Sequence, residues 1–310
     1  REGTTLIAND AIRALPFANA SSTIEAIVLP ESLKYIGNNA LNYTAITEIV
    51  IPKAVESIGS GAFHESHKLQ TITLAANPAF GKLNNFFDLS DIKTVIITQG
   101  TEIYDYMFVG LKCSDNCVLT IQAPSDLTVI GKYAFSGISG ATSVVLPDSI
   151  TEIHTFAFQD CESLTTVKLP ASLRKIGNFA FEGCKGIAEI SIPDGVTEIG
   201  SYAFMSCSKL ETIHFSGNLE KIGNDVFSST AYAQNPDNWI DYVLYFGQYA
   251  IVADNEAKSY TIKDGTTVLC DSLFNNDCCQ YTLPGSLKYI GESVFPYRKE
   301  TLKFHGTQEQ

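Results

Sequence analysis

The chain lacks any long uninterrupted apolar run. Its 310 residues are 45% hydrophobic, but proline, glycine or a charged residue breaks the apolar segments every few positions. A membrane-spanning helix needs about 20 consecutive apolar residues, so we expect no membrane insertion by this segment. The hydrophobic content is still sufficient for a continuous buried core.

Positive charge is also scarce. The chain has 21 Lys and Arg against 34 Asp and Glu, which gives a formal net charge of −13 at pH 7. An acidic surface repels phosphate groups. The composition therefore disfavours nucleic acid and anionic membrane surfaces as partners.

Motifs of common catalytic sites are missing. The sequence contains no GxSxG, Walker loop, GxGxxG, EF-hand or CxxC zinc spacing. His64-Glu65-Ser66-His67 is one residue short of the HExxH zinc motif, in which two His occupy one helix face. Acidic residues such as Glu152 and Glu198 are dispersed as turn and edge residues. We expect no enzyme activity, no catalytic residues, no metal site and no cofactor.

What the sequence does contain is a 23-residue period. The members of its five series are Phe135, Phe158, Phe181, Phe204 and Phe227; Ile130, Ile153, Ile176, Ile199 and Ile222; Ala134, Ala157, Ala180 and Ala203; Pro124, Pro147, Pro170 and Pro193; and Cys161, Cys184 and Cys207. A fixed period of 20–50 residues is typical of stacked structural units. The period predicts a solenoid whose aligned Phe side chains form a continuous internal stack.

One complete unit spans residues 164–184. Val167 and Leu169 alternate with polar neighbours, which predicts a half-buried strand that Pro170 ends. A second short extended stretch follows, and we expect Gly177 to permit a turn there. The Ala-Phe-x-x-Cys group then favours a single 3₁₀ or helical turn. Stacking such units produces a parallel strand ladder.

The eight cysteines do not decide the redox compartment. Cys161, Cys184 and Cys207 recur beside the Phe series, so we expect buried thiols. Cys113 and Cys117 flank a polar turn in this interpretation, and Cys278 and Cys279 are adjacent. Whether Cys113 and Cys117, or Cys270, Cys278 and Cys279, form disulfides stays open at this point.

Two segments break the period. They are residues 77–90 and residues 228–258, the second of which contains the only Trp and a predicted hairpin that turns at Gly247-Gln248. Around these breaks we count about eleven or twelve units of 22–23 residues. We expect a single solenoid over residues 1–310, cut from a longer protein at both ends.

The unit L-x-x-I-x-I-P-x-x-V-x-x-I-G-x-x-A-F-x-x-C resembles the BspA-like leucine-rich repeat, also called the Treponema pallidum type. The resemblance covers nearly the whole chain. It implies a β-rich, right-handed superhelix with parallel strands on the concave face and short extended or 3₁₀ turns elsewhere. It also implies a secreted or cell-surface protein of host-associated bacteria that acts in adhesion, with its signal or anchor outside this sequence.

Outward strand positions are the first candidate binding surface. The predicted binding positions are Thr120, Gln122, Thr166, Lys168, Glu189, Ser191, Thr212 and His214. Such residues either satisfy β propensity alone or form a mildly polar surface for a protein or a glycan on a host or neighbouring cell.

The aromatic residues of the second break are the alternative surface. They are Trp239, Tyr242, Tyr245 and Tyr249. Either they pack the hairpin against the solenoid, or they form an exposed anchor for a ligand. Two functions follow: a non-enzymatic binding or adhesion protein, or a structural spacer that displays another domain and has no ligand of its own.

Overall fold

The computed structural model describes residues 3–12, 24–75, 91–274, 280–295 and 301–305. The first break in the period, at 77–90, and Cys278 and Cys279 lie outside these residues. Within them the chain forms a β-solenoid of about ten turns with almost no helix.

The strands are short and are numbered here in chain order. The first nine are β1 (Leu6–Ile7), β2 (Tyr35–Ile36), β3 (Glu48–Ile51), β4 (Ser57–Ile58), β5 (Thr71–Leu74), β6 (Thr94–Ile97), β7 (Glu102–Ile103), β8 (Lys112–Gln122) and β9 (Val129–Ile130). The next eight are β10 (Ser139–Val145), β11 (Glu152–Ile153), β12 (Thr166–Lys168), β13 (Lys175–Ile176), β14 (Glu189–Ser191), β15 (Glu198–Ile199), β16 (Thr212–His214) and β17 (Lys221–Ile222).

The C-terminal part adds helical turns and antiparallel strands. Its elements are helix α1 (Ala231–Gln234), a 3₁₀ turn (Pro236–Asn238), β18 (Trp239–Ile240), β19 (Val243–Phe246), β20 (Tyr249–Ala253), β21 (Tyr260–Thr261), β22 (Val268–Leu269), β23 (Gln280–Pro284), β24 (Tyr289–Ile290) and β25 (Thr301–His305).

Each regular coil contributes one strand to each of two parallel sheets. The first sheet has the order β3-β5-β6-β8-β10-β12 and is followed by the pair β14-β16. The second sheet has the order β7-β9-β11-β13-β15-β17, with β1-β2-β4 forming its N-terminal counterpart. Partners in neighbouring coils are 23 positions apart where the period is regular, as in Val144 opposite Val167. The period in the sequence is therefore the register of the sheets.

The core is one continuous set of buried side chains that extends from Leu29 to Val294. Its centre is the Phe series, which Phe108 extends by one coil, and neighbouring ring centroids lie 5.2 to 5.6 Å apart with nearly parallel planes. The rings from Phe135 to Phe227 are fully buried. The expected internal stack is confirmed.

The cysteine series is buried beside this stack, as expected. Each thiol donates a hydrogen bond to the carbonyl of a Phe in the preceding coil, as in Cys184 to Phe158 O at 3.2 Å and Cys207 to Phe181 O at 3.1 Å. Burial raises the pKa of the Cys207 thiol to about 12. These thiols act as small core groups with a weak donor.

Cys113 and Cys117 do not flank a turn, contrary to the interpretation of the sequence. Both are buried thiols within the 11-residue strand β8. The pairing of β8 with β10 shifts register near Ala141, and Asn116 has a φ of 60°. The polar residues between the two cysteines therefore form a bulge in a strand.

The expected turn begins at Gly177, whose carbonyl accepts a hydrogen bond from Ala180 N at 3.3 Å, and the glycine also has a second role. A Cβ at this position would lie 2.7 Å from the backbone carbon of His154 in the preceding coil. A side chain at that distance would push the coils apart, because real Cβ atoms are not found so close to another backbone. Glycine at 177 thus allows this coil to approach the preceding one closely, whereas His154 occupies the equivalent place after Ile153.

A second aromatic stack lies on the outside and was missed in the sequence. It contains Tyr106, Tyr133, Phe156, Phe179 and Tyr202, whose neighbouring centroids are 4.5 to 4.8 Å apart. All five have φ between 56° and 64°, in the left-handed region that bulky residues rarely occupy. We refer to these residues as the outer aromatic stack. Ring stacking partly offsets the backbone cost of this conformation.

We expect Phe181→Ala to lower the free energy of unfolding by about 3–5 kcal/mol, because it leaves a cavity between two stacked rings. The matched variant Phe179→Ala removes a half-buried ring with two neighbours in the outer aromatic stack, and should cost about 1–3 kcal/mol. Equilibrium denaturation of both variants measures these values. Equal losses would contradict the difference in burial between the two stacks.

A second prediction concerns the buried thiols. Burial holds the pKa of Cys184 and Cys207 well above that of an ordinary thiol, and only the thiolate reacts with disulfide reagents. At pH 8 neither residue should react in the native protein, whereas both should react in guanidinium. Cys207→Ser should therefore lower the thiol count of the unfolded protein by one and leave the native count unchanged. A native count that falls by one would overturn the placement.

Candidate binding surfaces

The outward side of the first sheet and of the pair that follows it forms a surface over eight strands, from β3 to β16. We call it the strand face. The parallel register places Thr120, Val145 and Lys168 side by side on it, and places Val118, Ser143 and Thr166 in the adjacent row. Of the eight residues predicted to lie here, Thr120 is half-buried and the other seven are exposed.

The last two strands of this face carry a histidine and a glutamate whose side chains contact each other. His214 Nε2 lies 2.8 Å from Glu189 Oε1, across the registered pairs Glu189–Thr212 and Ser191–His214. Both side chains are more than half exposed. Exposed pairs of this kind contribute little to stability, so their side chains are available to a partner.

The strand face also exposes apolar side chains, which the predicted binding positions do not include. Val50, Val118 and Val145 are 50%, 51% and 40% exposed. The strand alternation indicates the outward direction of Val50 and Val145, but Val118 lies beside the β8 bulge, where the alternation is interrupted. The face is therefore a mixture of Thr, Val and a few charged groups.

The aromatic break divides into buried and exposed residues. Tyr245 and Tyr249 are buried, and their hydroxyls accept hydrogen bonds from Lys263 N and Leu219 N, both at 3.0 Å. These two tyrosines are therefore not exposed anchors, because their rings are buried and their hydroxyls are hydrogen-bonded within the fold. Trp239 is half-buried, and its indole donates to Ala233 O at 2.8 Å.

The hairpin within this segment turns at Gly247 and Gln248, as expected, since Phe246 pairs with Tyr249. The sequence did not indicate α1 or the additional strand β18. Thr230 caps α1 by accepting from Ala233 N, and β18 pairs with β19 in antiparallel orientation. β20 then pairs in parallel with β22, which returns the chain to the solenoid.

An exposed tip projects between β18 and β19. Ile240 pairs with Val243, so Asp241 and Tyr242 form a two-residue turn with φ values of 48° and 68°. Both positive values match a type I′ hairpin turn, which normally contains Asn or Gly. Tyr242 is 57% exposed and Ile240 is 41% exposed. Among the four aromatic residues predicted as anchors, Tyr242 is the one that is more than half exposed.

Two clefts occur where the C-terminal coils meet the regular ones. One, of about 340 Å³, lies along the glycines after β13, β15 and β17 and is lined by Lys175, Glu198, Lys221 and Asp271. A second cleft, of about 560 Å³, shares Glu198 and Lys221 and reaches Gln248, Lys288 and Tyr289. We call the second one the junction cleft. It was not predicted, because its walls come from coils separated by the break at 228–258.

In the described part of the chain, no three His, Cys, Asp or Glu side chains are grouped closely enough to hold a metal ion. His64 and His67 lie in a turn around Glu65. No helix within the same residues has the length and apolar character to span a membrane.

The fold and its surfaces define a leucine-rich repeat solenoid. The family profile described as "BspA type Leucine rich repeat region" matches residues 10–114 and 109–234 with six copies, which is more than half of the chain. The chain therefore belongs to the BspA-type leucine-rich repeat family. No curated protein matches the chain in sequence.

Solved structures show similar chains. A leucine-rich repeat protein from Bacteroides ovatus is 21% identical, with 98% of this chain and 76% of that chain covered and a TM-score of 0.40. A leucine-rich cell surface protein from Faecalibacterium prausnitzii is 21% identical, with 98% and 89% covered and a TM-score of 0.35. The T. pallidum leucine-rich repeat protein is 22% identical, with 73% and 81% covered and a TM-score of 0.35. Because these TM-scores are low, the assignment to the family rests on the profile match alone.

A pH prediction follows from the aromatic segment. Burial raises the pKa of Tyr232, which donates to Tyr245 O at 2.7 Å, to about 12. The unfolded chain ionises this phenol near pH 10, so the unfolded state binds fewer protons above that pH and stability falls as pH rises from about 10 to 12. Tyr232→Phe should show a shallower alkaline loss of stability than the parent chain. If the free energy of unfolding in urea fell equally in both proteins from pH 9 to 12, the prediction would be wrong.

Proposed function

We propose that this chain is a non-enzymatic, secreted or cell-surface binding module that holds a protein partner on the strand face. The proposal is supported by membership of the BspA-type repeat family and by the similarity to a leucine-rich cell surface protein. Repeat solenoids commonly bind partners along an extended surface, because that surface is long and its backbone is rigid.

The main support for this proposal is that the exposed valines of the strand face are surrounded by polar residues of adjacent strands. Val118 and Val145 lie in neighbouring rows of the sheet, next to Thr120 and Thr166. Exposed apolar groups rimmed by polar ones are typical of interaction sites. Eight strands about 4.8 Å apart span about 34 Å, which matches the extent of a standard protein interface.

A second candidate surface is favoured by the exposed tip. Tyr242 is exposed in the two-residue turn between β18 and β19. Tyrosine is also a frequent interface hot spot. With Ile240 it would form a small protruding anchor for the same class of partner. The remaining alternative is a spacer with no ligand.

The test is binding of the chain to an array of extracellular-matrix and cell-surface proteins, followed by surface plasmon resonance on every hit. The double variant Val118→Arg, Val145→Arg places two long charged side chains on the strand face and should weaken binding at least tenfold. Val129→Arg is the matched control, because Val129 points outward from the second sheet, and it should leave affinity within about twofold, the error range we allow for an uninvolved site.

The outcomes separate the candidates. Loss of binding in Tyr242→Ala, with the double valine variant unaffected, would move the site to the tip. Loss with Val129→Arg alone would place it on the second sheet. A chain that binds none of the proteins on the array would support the spacer.

A further inference from the structure

The junction cleft lies where the regular stack is interrupted. β17 ends the run of regular coils, and the next strand beside it is β22, 47 positions later in the chain. Asp271 N donates to Ile222 O at 3.3 Å, which closes the gap between the two coils. The intervening hairpin leaves Gln248 and the 218–221 segment facing the same space as Lys288 and Tyr289. The cleft is therefore built from five separate segments of the chain.

Two side-chain amides in the cleft are hydrogen-bonded to each other. Gln248 Nε2 donates to Asn218 Oδ1 at 3.2 Å and to Tyr249 Oη at 3.0 Å, and Tyr249 is itself buried and bonded to Leu219 N. Within the described residues, Gln248 Oε1 and Asn218 Nδ2 make no hydrogen bond. One acceptor and one donor thus remain on adjacent, mutually bonded amides.

The charges around these amides balance. Lys221 and Lys288 line the cleft together with Glu198 and Glu220. Lys221 Nζ lies 3.5 Å from Glu292 and 3.8 Å from Asp271, and Glu198 pairs with Lys175 at 2.9 Å. No net charge of one sign is presented, so the site favours a neutral ligand with many hydroxyl groups over an anion or a cation.

One side of the cleft is apolar. Tyr289 is half-buried on β24, opposite Val268 of β22, and both line the cavity. An aromatic ring beside fixed amides and carboxylates matches the two sides of a sugar, whose C–H face packs on apolar surface while its hydroxyls donate and accept. The volume of about 560 Å³ lies within the range of small-molecule pockets, about 300–1,000 Å³.

We propose that the junction cleft binds a neutral saccharide, one or two hexose units at the end of a glycan. Asn218 and Gln248 hydrogen-bond adjacent hydroxyls, and Tyr289 supports the apolar face of the ring. This site is separate from the strand face and from the tip, so it goes beyond the protein-binding function proposed above.

The experiment is saturation-transfer NMR and calorimetry of the full chain with galactose, glucose, mannose, N-acetylglucosamine and their β-linked disaccharides. At least one sugar should bind. Tyr289→Ala and Asn218→Ala should each weaken it at least tenfold, with unchanged thermal unfolding as the check on folding. The Val118→Arg, Val145→Arg variant should bind the sugar as the parent chain does, which separates this proposal from the strand-face proposal.

Charge provides the opposing test. Lys288→Glu should change the affinity for a neutral sugar less than about threefold, and the affinity should be independent of salt, since no ion pair forms with the ligand. Binding restricted to sulfated or sialylated sugars and lost in Lys288→Glu would overturn the neutral class. Absence of binding to every sugar, or binding that Tyr289→Ala and Asn218→Ala leave intact, would overturn the site itself.

Discussion

The distance between successive coils is the constraint on which the rest of this structure depends. Parallel strands pair at about 4.8 Å, and the buried Phe rings stack at 5.2 to 5.6 Å between the same coils. The two spacings agree closely enough for one coil to satisfy both at once. A Cβ at Gly177 or Gly200 would lie less than 3 Å from the backbone of the preceding coil, which explains glycine at these positions, although His154 occupies the equivalent place after Ile153.

The same spacing explains the outer aromatic stack. A residue that precedes each buried Ala turns outward with a positive φ, and repetition at the coil distance brings its ring against the next one. An isolated Phe in this conformation would carry only the backbone cost. In the array the three inner rings, Tyr133, Phe156 and Phe179, each stack between two others, so the repeat itself makes the conformation tolerable. A solenoid is expected to show such agreement between backbone conformation and side-chain stacking, because each unit contacts only its neighbours.

Specific chemistry is concentrated where the repeat is interrupted. Regular coils present similar Thr, Val and charged residues again and again, which suits a broad protein contact. At 228–258 the chain leaves the period, and the result is a projecting tip at Tyr242 and a cleft beside Gln248. The buried hydroxyls of Tyr245 and Tyr249 hold the hairpin in place. Tyr245 and Tyr249 therefore have a structural role, and the exposed tip and the cleft are the surfaces that we propose for recognition.

The sequence by itself determined the solenoid, the internal Phe stack, the buried cysteine series and the turn at Gly247-Gln248, because each depends on a local pattern repeated at a fixed period. Only the tertiary structure decided the reason for Gly177, the burial of Tyr245 and Tyr249, and the existence of the junction cleft. These depend on the distance between coils and on segments far apart in the chain, such as Asn218, Gln248 and Tyr289. A periodic pattern reports which residues share a face, but the contacts formed where the period breaks are set by packing in three dimensions.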